Sequence, residues 1–377
     1  MSGGLSWRIV HSEASCGWGG QEHRVLAELR GFQRRGCWVA LLAPPHSEIF
    51  KRGEAGGIVV HPLDTRKSRY LPNAFRIRGW LRRNRVQVVN THSSRDGYLV
   101  GAAARLARVP LQIRSRHIDV SYRNPWISRL AFSSFADHVM TTSGKITAHL
   151  QDTFHLPDDR ISTVSTGVDT DRFSPDGTAA DLSVAVGVDD APLVGMVSVL
   201  RSWKGHLDFL KAARMLKDRG VSARYMIVGE GPQRANIERV ISELGLQENV
   251  TMLGHREDIP CILRTLDVVV IPSTGHEGIP QIGLQALASG TAVVGSDAGG
   301  IPEIIRDRQT GRIFHATDVE ALAATVEATL TDSDATREYV AAGRDLVLAG
   351  HNIEHMLDRI EEIYRRHLPA GNIHEPV

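Results

Sequence analysis

In the segment HEGIPQIGLQALASGTAVVGSDAGGIPE, residues 276–303, the acid Glu277 and the amide Gln285 stand out among glycines and small apolar side chains. IPQIGLQALASG reads as a short helix opened by Pro280, with Glu277 where the preceding loop meets it and Gln285 about two turns in. An acid at that place can accept hydrogen bonds from vicinal hydroxyls, while N–H groups of the helix start and of the glycine loop favour phosphate. Hydroxyls beside a phosphate describe a nucleotide sugar. VSVLRSWKG (197–205) adds two cations, Arg201 and Lys204, just past a strand-like run, where they can hold a diphosphate and absorb charge on a leaving phosphate. CGWGGQE (16–22) is a third candidate, since Gly17, Gly19 and Gly20 allow a tight turn and close approach to an anion. It lacks the GxGxxG spacing and has no acid closing a second strand, which disfavours a dinucleotide. The GxG of IVGEGPQR (227–234) is generic.

The scaffold that must position these residues is legible as short apolar runs alternating with helical patterns. WRIV, WVALLA, GIVVHPL, VQVVN, LQIRSRH and HVMTT form one series; LVGMVSV, ARYMIVG, VTML, DVVVIP, AVVGS and RIFH form another. Apolar strands joined by helices predict a parallel sheet covered on both faces, twice over. The expected domains are residues 1–175 and 176–350, with a closing helix in 351–377 packing back on the first. In such folds ligands sit outside the carboxyl ends of the strands.

The chain has 377 residues, more than one core usually fills, and only three cysteines, which suits a reducing compartment and leaves each as a small buried side chain. No leader-like or membrane-spanning run is apparent, so a cytoplasmic protein is expected. Net charge is +1, but residues 1–175 hold 25 basic against 14 acidic side chains, leaving 19 against 29 for the rest. RKSRYLPNAFRIRGWLRRNR (66–85) carries no acid and interleaves Tyr70, Phe75 and Trp80 with its positive charges. Such a run reads either as a surface for a polyanion, an anionic membrane face or nucleic acid, or as a solvated basic helix face. No nucleic-acid module accompanies it.

HEGIPQIGLQALASGTAVVGSDAGGIPE resembles the donor-binding signature of the family 4 retaining glycosyltransferases, whose GT-B fold is two facing Rossmann-like doubly wound α/β domains with a cleft between them. The likeness extends through GWGGQE, THSSRDG, RSRHI, STGVDTDRFSP, LRSWKG and VGEGPQR, in order. It implies transfer of a sugar from a nucleoside diphosphate sugar to a hydroxyl acceptor with retention, without cofactor or metal. It also implies that Glu277 holds donor-sugar hydroxyls and that His117 sits at the reacting sugar. The phosphates would lie between Arg201, Lys204 and the N–H groups near Gly278, Ile279, Pro280, Gln281 and Ile282, with Gly19 and Gly20 opposite. His92 reads as structural or substrate-touching. Two positions depart from the family pattern. Gln285 stands where a second Glu usually binds ribose, and Val199 stands where an Arg usually precedes the Lys by five residues. The implied acceptor is a glycan or lipid-linked glycan of the cell envelope, as in bacterial surface polysaccharide or lipopolysaccharide assembly, reached from the inner face of the membrane. A nucleotide-sugar epimerase of the same fold and a non-catalytic nucleotide-sugar-binding protein are the rival readings.

Overall fold

The computed structural model describes residues 7–120, 122, 124–182 and 191–368, and the chain divides into two compact units, Met1–Gly167 with Ile353–Val377, and Val168–Asn352. In the first unit seven strands, β1 (Arg8–Ser12), β2 (Trp38–Ala43), β3 (Val59–Pro62), β4 (Val88–Thr91), β5 (Leu111–Arg116), β6 (His138–Thr141) and β7 (Ile161–Thr163), lie in the order β3-β2-β1-β4-β5-β6-β7. All pairs are parallel, so every connection crosses a face of the sheet. The crossovers carry α1 (Gly20–Arg34), α2 (Glu48–Ala55), α3 (Tyr70–Arg83), α4 (Ser94–Ala107), α5 (Pro125–Arg129) and α6 (Gly144–Phe154). The strand β7 has no counterpart in the sequence reading, because three residues carry no period.

The second unit repeats the plan with β8 (Leu193–Val197), β9 (Arg224–Val228), β10 (Val250–Gly254), β11 (Val268–Ile271), β12 (Ala292–Ser296) and β13 (Arg312–Phe314), ordered β10-β9-β8-β11-β12-β13 and again parallel. Its helices are α7 (His206–Asp218), α8 (Arg234–Glu243), α9 (Ile259–Thr265), α10 (Gln281–Ala288), α11 (Val319–Thr331) and α12 (Ser333–Gly350). Both units are the doubly wound α/β type expected. The strand order reverses between β1 and β4 in one and between β8 and β11 in the other, and ligands of such sheets lie beyond the strand ends at those points.

The division between units falls at Gly167 and Val168 rather than at Pro175, because Val168, Phe173 and Leu182 are buried in the core of the second. The last helix, α13 (Ile353–His367), belongs to the first unit: Met356, Leu357, Ile360, Ile363 and Tyr364 share a core with Leu29, Phe32 and Trp7. Gly31 makes that seat possible, since a Cβ there would stand 2.3 Å from a Leu357 methyl. Arg35 pairs with Glu354, Asp358 and Glu361 along the same seam. Among the described residues no helix is long and apolar enough to cross a membrane.

Candidate functional site

Lys204 and Glu277 come from the loops after β8 and β11, neighbouring strands at the reversal point of the second sheet. The Lys204 ammonium donates to Glu277 Oε1, and Ser273 Oγ donates to the same oxygen at 2.7 Å. Glu277 is buried and Lys204 half-buried. With Oε1 doubly occupied, Oε2 is the oxygen left to meet a ligand. The two loops are bound to each other through their backbones: Thr274 N donates to Trp203 O at 2.8 Å, and a Cβ on Gly205 (φ +77°) would lie 1.8 Å from Pro272 O. Behind the acid, Gly299 (φ +58°) comes so close that a Cβ would stand 2.4 Å from Glu277 O. Only glycine combines that approach with that backbone conformation. The loop after β9 closes in the same way, since Cβ atoms on Gly229 and Gly231 would meet Ser198 O at 1.9 Å and Leu200 O at 2.6 Å. Ser273 and Gly299 were not singled out from sequence; the signals available were the i, i+4 spacing of Ser273 to Glu277 and the paired glycines of SDAGG.

The helix that follows, α10, departs from the expected phosphate cradle at one residue. Pro280 has no N–H; it caps the helix, and its carbonyl accepts from Gly283 N at 3.1 Å. Gln281 and Ile282 are the first residues of the helix, and their N–H groups point out of its start. Ile279 is a core side chain, 8% exposed, beside buried Gly278, so both contribute backbone rather than side chain. Gln285 is half-buried one turn further along, its side-chain amide without a hydrogen-bond partner among the described residues. Arg201 is exposed, with its guanidinium carbon 5.3 Å from the Trp203 ring centroid, so the structure does not bring it into the Lys204–Glu277 pair. His206, next to the lysine loop, is held neutral, its pKa lowered to about 4 chiefly by burial.

In the first unit, Gly19 caps α1, and its N–H is already taken by Glu22 Oε2 at 3.0 Å, leaving exposed Gly20 as the glycine that opens the helix. Cys16 beside them is exposed, contrary to the expectation of a buried thiol, with Sγ 3.2 Å from His46 Nε2. At the end of β1, burial and then the neighbouring Asp96 push the carboxyl of Glu13 up to about 8. Asp96 itself accepts from His92 N at 2.9 Å and Ser12 Oγ at 2.7 Å, tying the loops after β1 and β4 together.

His92 and His117 follow β4 and β5, and both are buried. They lie in one row with His11 of β1: His117 Nε2 to His92 Nδ1 is 2.8 Å, and His92 Nε2 to His11 Nδ1 is 2.9 Å. The ring centroids are 5.1 and 4.9 Å apart with planes inclined by 27° and 28°. Those values follow the sheet beneath, whose adjacent strands stand about 4.8 Å apart and rotate by roughly 20–25°. Burial holds His92 and His117 well below the usual imidazole range and lowers His11 to about 4. His11 carried no sequence signal, being one residue of an apolar strand.

The basic segment forms a cavity of about 580 Å³ lined by Thr65, Arg66, Lys67, Tyr70, Ser94, Arg95 and Tyr98. On α3, Leu71 and Phe75 are 73% and 60% exposed, one turn apart, beside exposed Arg82 and Arg83. Trp80 departs from the expected interfacial role: it stacks on His61 at 4.8 Å and packs near Trp38, inside the fold. Tyr70 is also anchored, its hydroxyl donating to Arg95 O at 3.0 Å.

Comparison with known proteins gives two family matches. Residues 18–172 match the model described as Glycosyltransferase Family 4, and residues 183–346 the model described as Glycosyl transferases group 1. The chain is 32% identical over 259 residues to an alpha-maltose-1-phosphate synthase of Mycolicibacterium smegmatis, covering 64% of this chain and 66% of that one. It is 26% identical over 306 residues to a UDP-Gal:alpha-D-GlcNAc-diphosphoundecaprenol alpha-1,3-galactosyltransferase of Escherichia coli, covering 75% and 76%. The chain spans 57% to 66% of the length of two of the curated relatives it matches. In structure it is similar to a glycosyltransferase from Rickettsia africae, with a TM-score of 0.88, 20% identity, and 97% and 100% of the two chains covered.

Proposed function

This chain belongs to the family 4 glycosyltransferases of GT-B fold, and on that premise we propose that it moves a sugar from a nucleoside diphosphate sugar to a hydroxyl acceptor with retention of configuration. The observation that carries the reading is the Lys204–Glu277–Ser273 cluster at the strand reversal of the second unit. A carboxylate with one oxygen fixed and one free suits donor-sugar hydroxyls. An ammonium beside it, with the N–H groups of Gln281 and Ile282, suits the diphosphate whose charge grows as the glycosidic bond breaks. Arg201, at the exposed rim, would reach phosphate only by leaving Trp203. Gln285 keeps one acceptor oxygen for a ribose hydroxyl and forgoes about 1 to 2 kcal/mol of charge-assisted bonding. His117 is the group of the first unit assigned to the reacting sugar. No cofactor or metal enters this mechanism.

The acceptor we favour is a lipid-linked or otherwise anionic glycan of the cell envelope. Its support is the basic cavity lined by Arg66, Lys67 and Arg95, together with the exposed Leu71 and Phe75 beside it. The relative from Escherichia coli is named for a diphosphate-linked lipid acceptor, the same chemistry. The deciding experiment is titration of the protein with UDP-, GDP- and ADP-sugars, followed by product analysis with and without acceptor. Acceptor-dependent transfer is expected. Conversion of the donor without acceptor would make the protein an epimerase, and donor binding with no turnover on any acceptor would make it a binding protein.

A further inference from the structure

The row His117–His92–His11 continues on its inner side into an ion pair. Glu28 Oε2 lies 3.8 Å from His11 Nδ1, and Glu28 Oε1 accepts from Arg24 Nε at 2.6 Å; neither side chain is appreciably exposed. Arg24 is held in turn by Val164 O at 2.8 Å and Thr166 Oγ1 at 3.1 Å. We propose that Glu28 decides which nitrogen of His117 carries the proton, acting through His11 and His92, so that His117 presents Nδ1–H as a hydrogen-bond donor. Glu28 is thus a positioning residue for the sugar-side histidine, and the inference rests on the reading that His117 meets the bound sugar.

The argument is a count of protons. Each neutral imidazole carries one N–H, and each of the two nitrogen–nitrogen contacts holds one proton. Three rings therefore place two protons inside the row and one at an end. If the end proton sits on His11 Nε2, it is a buried donor with no acceptor, since that atom has no partner among the described residues. The lone pair of His11 Nδ1 then also faces the Glu28 carboxylate. If His11 instead carries its proton on Nδ1, that N–H donates to His92 Nε2 at 2.9 Å, and its positive end, rather than a lone pair, stands near the Glu28 carboxylate 3.8 Å away. His92 must then donate from Nδ1 to His117 Nε2, and the remaining proton emerges on His117 Nδ1. That nitrogen has no partner among the described residues. A donor there can meet a sugar hydroxyl or a phosphate oxygen, whereas the reversed row would offer those oxygens a lone pair.

The donor atoms of His11, Glu28 and His92 lie within 4.8 Å of one another, the compass of a metal site. A shared proton accounts for the 2.9 Å contact between the two nitrogens, and Arg24 already balances Glu28.

Long-range proton–nitrogen NMR of the full chain with labelled histidine, without ligand, reads each tautomer directly. Wild type should show His117 protonated on Nδ1 and bare on Nε2. Glu28→Gln should move His117 wholly or partly to Nε2–H. Because that change strands Arg24, the paired variant Arg24→Leu with Glu28→Leu, which removes both charges together, serves as the second test and should shift the tautomer alike. In both, kcat should fall at least about 10-fold with KM for the acceptor and affinity for UDP and GDP little changed. An Nε2–H tautomer in wild type, an unaltered tautomer in both variants, or a stoichiometric zinc ion in the purified protein overturns the proposal. Wild type with the Nδ1–H tautomer but no transfer from any sugar nucleotide would count against the transferase reading and leave the tautomer assignment intact.

Discussion

Lys204 and Glu277, 73 positions apart in the chain, share a hydrogen bond from the ammonium to Oε1 of the carboxylate. The pair exists because β8 and β11 are neighbours in the sheet and each hands its chain to a loop at the same end. On the proposed function, a diphosphate arriving at this site would compete with Glu277 for Lys204, while the sugar would arrive at the other oxygen of the same acid. Donor binding and the state of this ion pair would then be linked, which two variants test.

Glu277→Gln should lower kcat by about 100-fold or more while affinity for the bare nucleoside diphosphate stays level or rises, because Lys204 is released from its partner. Lys204→Met should weaken that affinity by about 10-fold or more and slow turnover as well. Calorimetry with UDP and GDP, beside steady-state rates, checks both. Equal loss of nucleotide binding in the two variants would show that the pair is structural.

Gly299→Ala should lower the melting temperature and the activity together. The new methyl must occupy a left-handed backbone at φ +58° and stand 2.4 Å from Glu277 O, so the loop carrying the acid has to move. Thermal unfolding is the measurement; a variant as stable and as active as wild type would mean the contact relaxes freely.

Stability should peak near pH 7. His11, His138 and His206 have folded pKa values lowered from 6.5 to about 4, and those of His92 and His117 are lowered well below 6.5, burial being the leading cause in each. Between pH 6.5 and about 4 the unfolded chain binds protons that the native protein refuses, so stability falls as pH falls. Glu13 works in the opposite sense. Its folded pKa is raised from 4.5 to about 8, so the native state keeps a proton the unfolded chain has released, and stability falls as pH rises through that window. Below about pH 7 the histidines of the unfolded chain outweigh the single acid; above it, where few of them still hold a proton, Glu13 sets the slope. Urea midpoints at pH 5, 7 and 9 should be highest in the middle, and a midpoint higher at pH 9 than at pH 7 contradicts the assignment of Glu13.

Vesicles containing acidic lipids should pull the protein down at low salt and release most of it at 0.5 M salt, because exposed charges are screened over about 10 Å already at 0.1 M. Arg82→Glu with Arg83→Glu should remove the salt-sensitive part. Leu71→Ser with Phe75→Ser should remove the residue that survives salt, whereas Trp80→Phe should leave it, since Trp80 is packed on His61. Indifference of wild type to such vesicles would identify α3 as a solvated face.

The amino-acid sequence by itself determined what depends on local pattern: the apolar strands and the glycine loops that end them. Strands buried on both faces need continuous apolar runs, and left-handed or crowded turns need glycine, so both leave marks in consecutive residues. It also carried Glu277 and Lys204 as candidates, through their charges at the ends of strand-like runs and the family likeness of the segments around them. Tertiary structure alone decided which of these meet. That Lys204 touches Glu277, that Trp80 turns inward while Leu71 turns out, and that His11 joins His92 and His117 in one row all follow from strand order and register. Those are set by contacts between residues tens of positions apart, which no local period records. The row of histidines is the clearest case, because its spacing and tilt are those of β1, β4 and β5 lying side by side, an adjacency that arises only when the first strand is placed in the middle of the sheet.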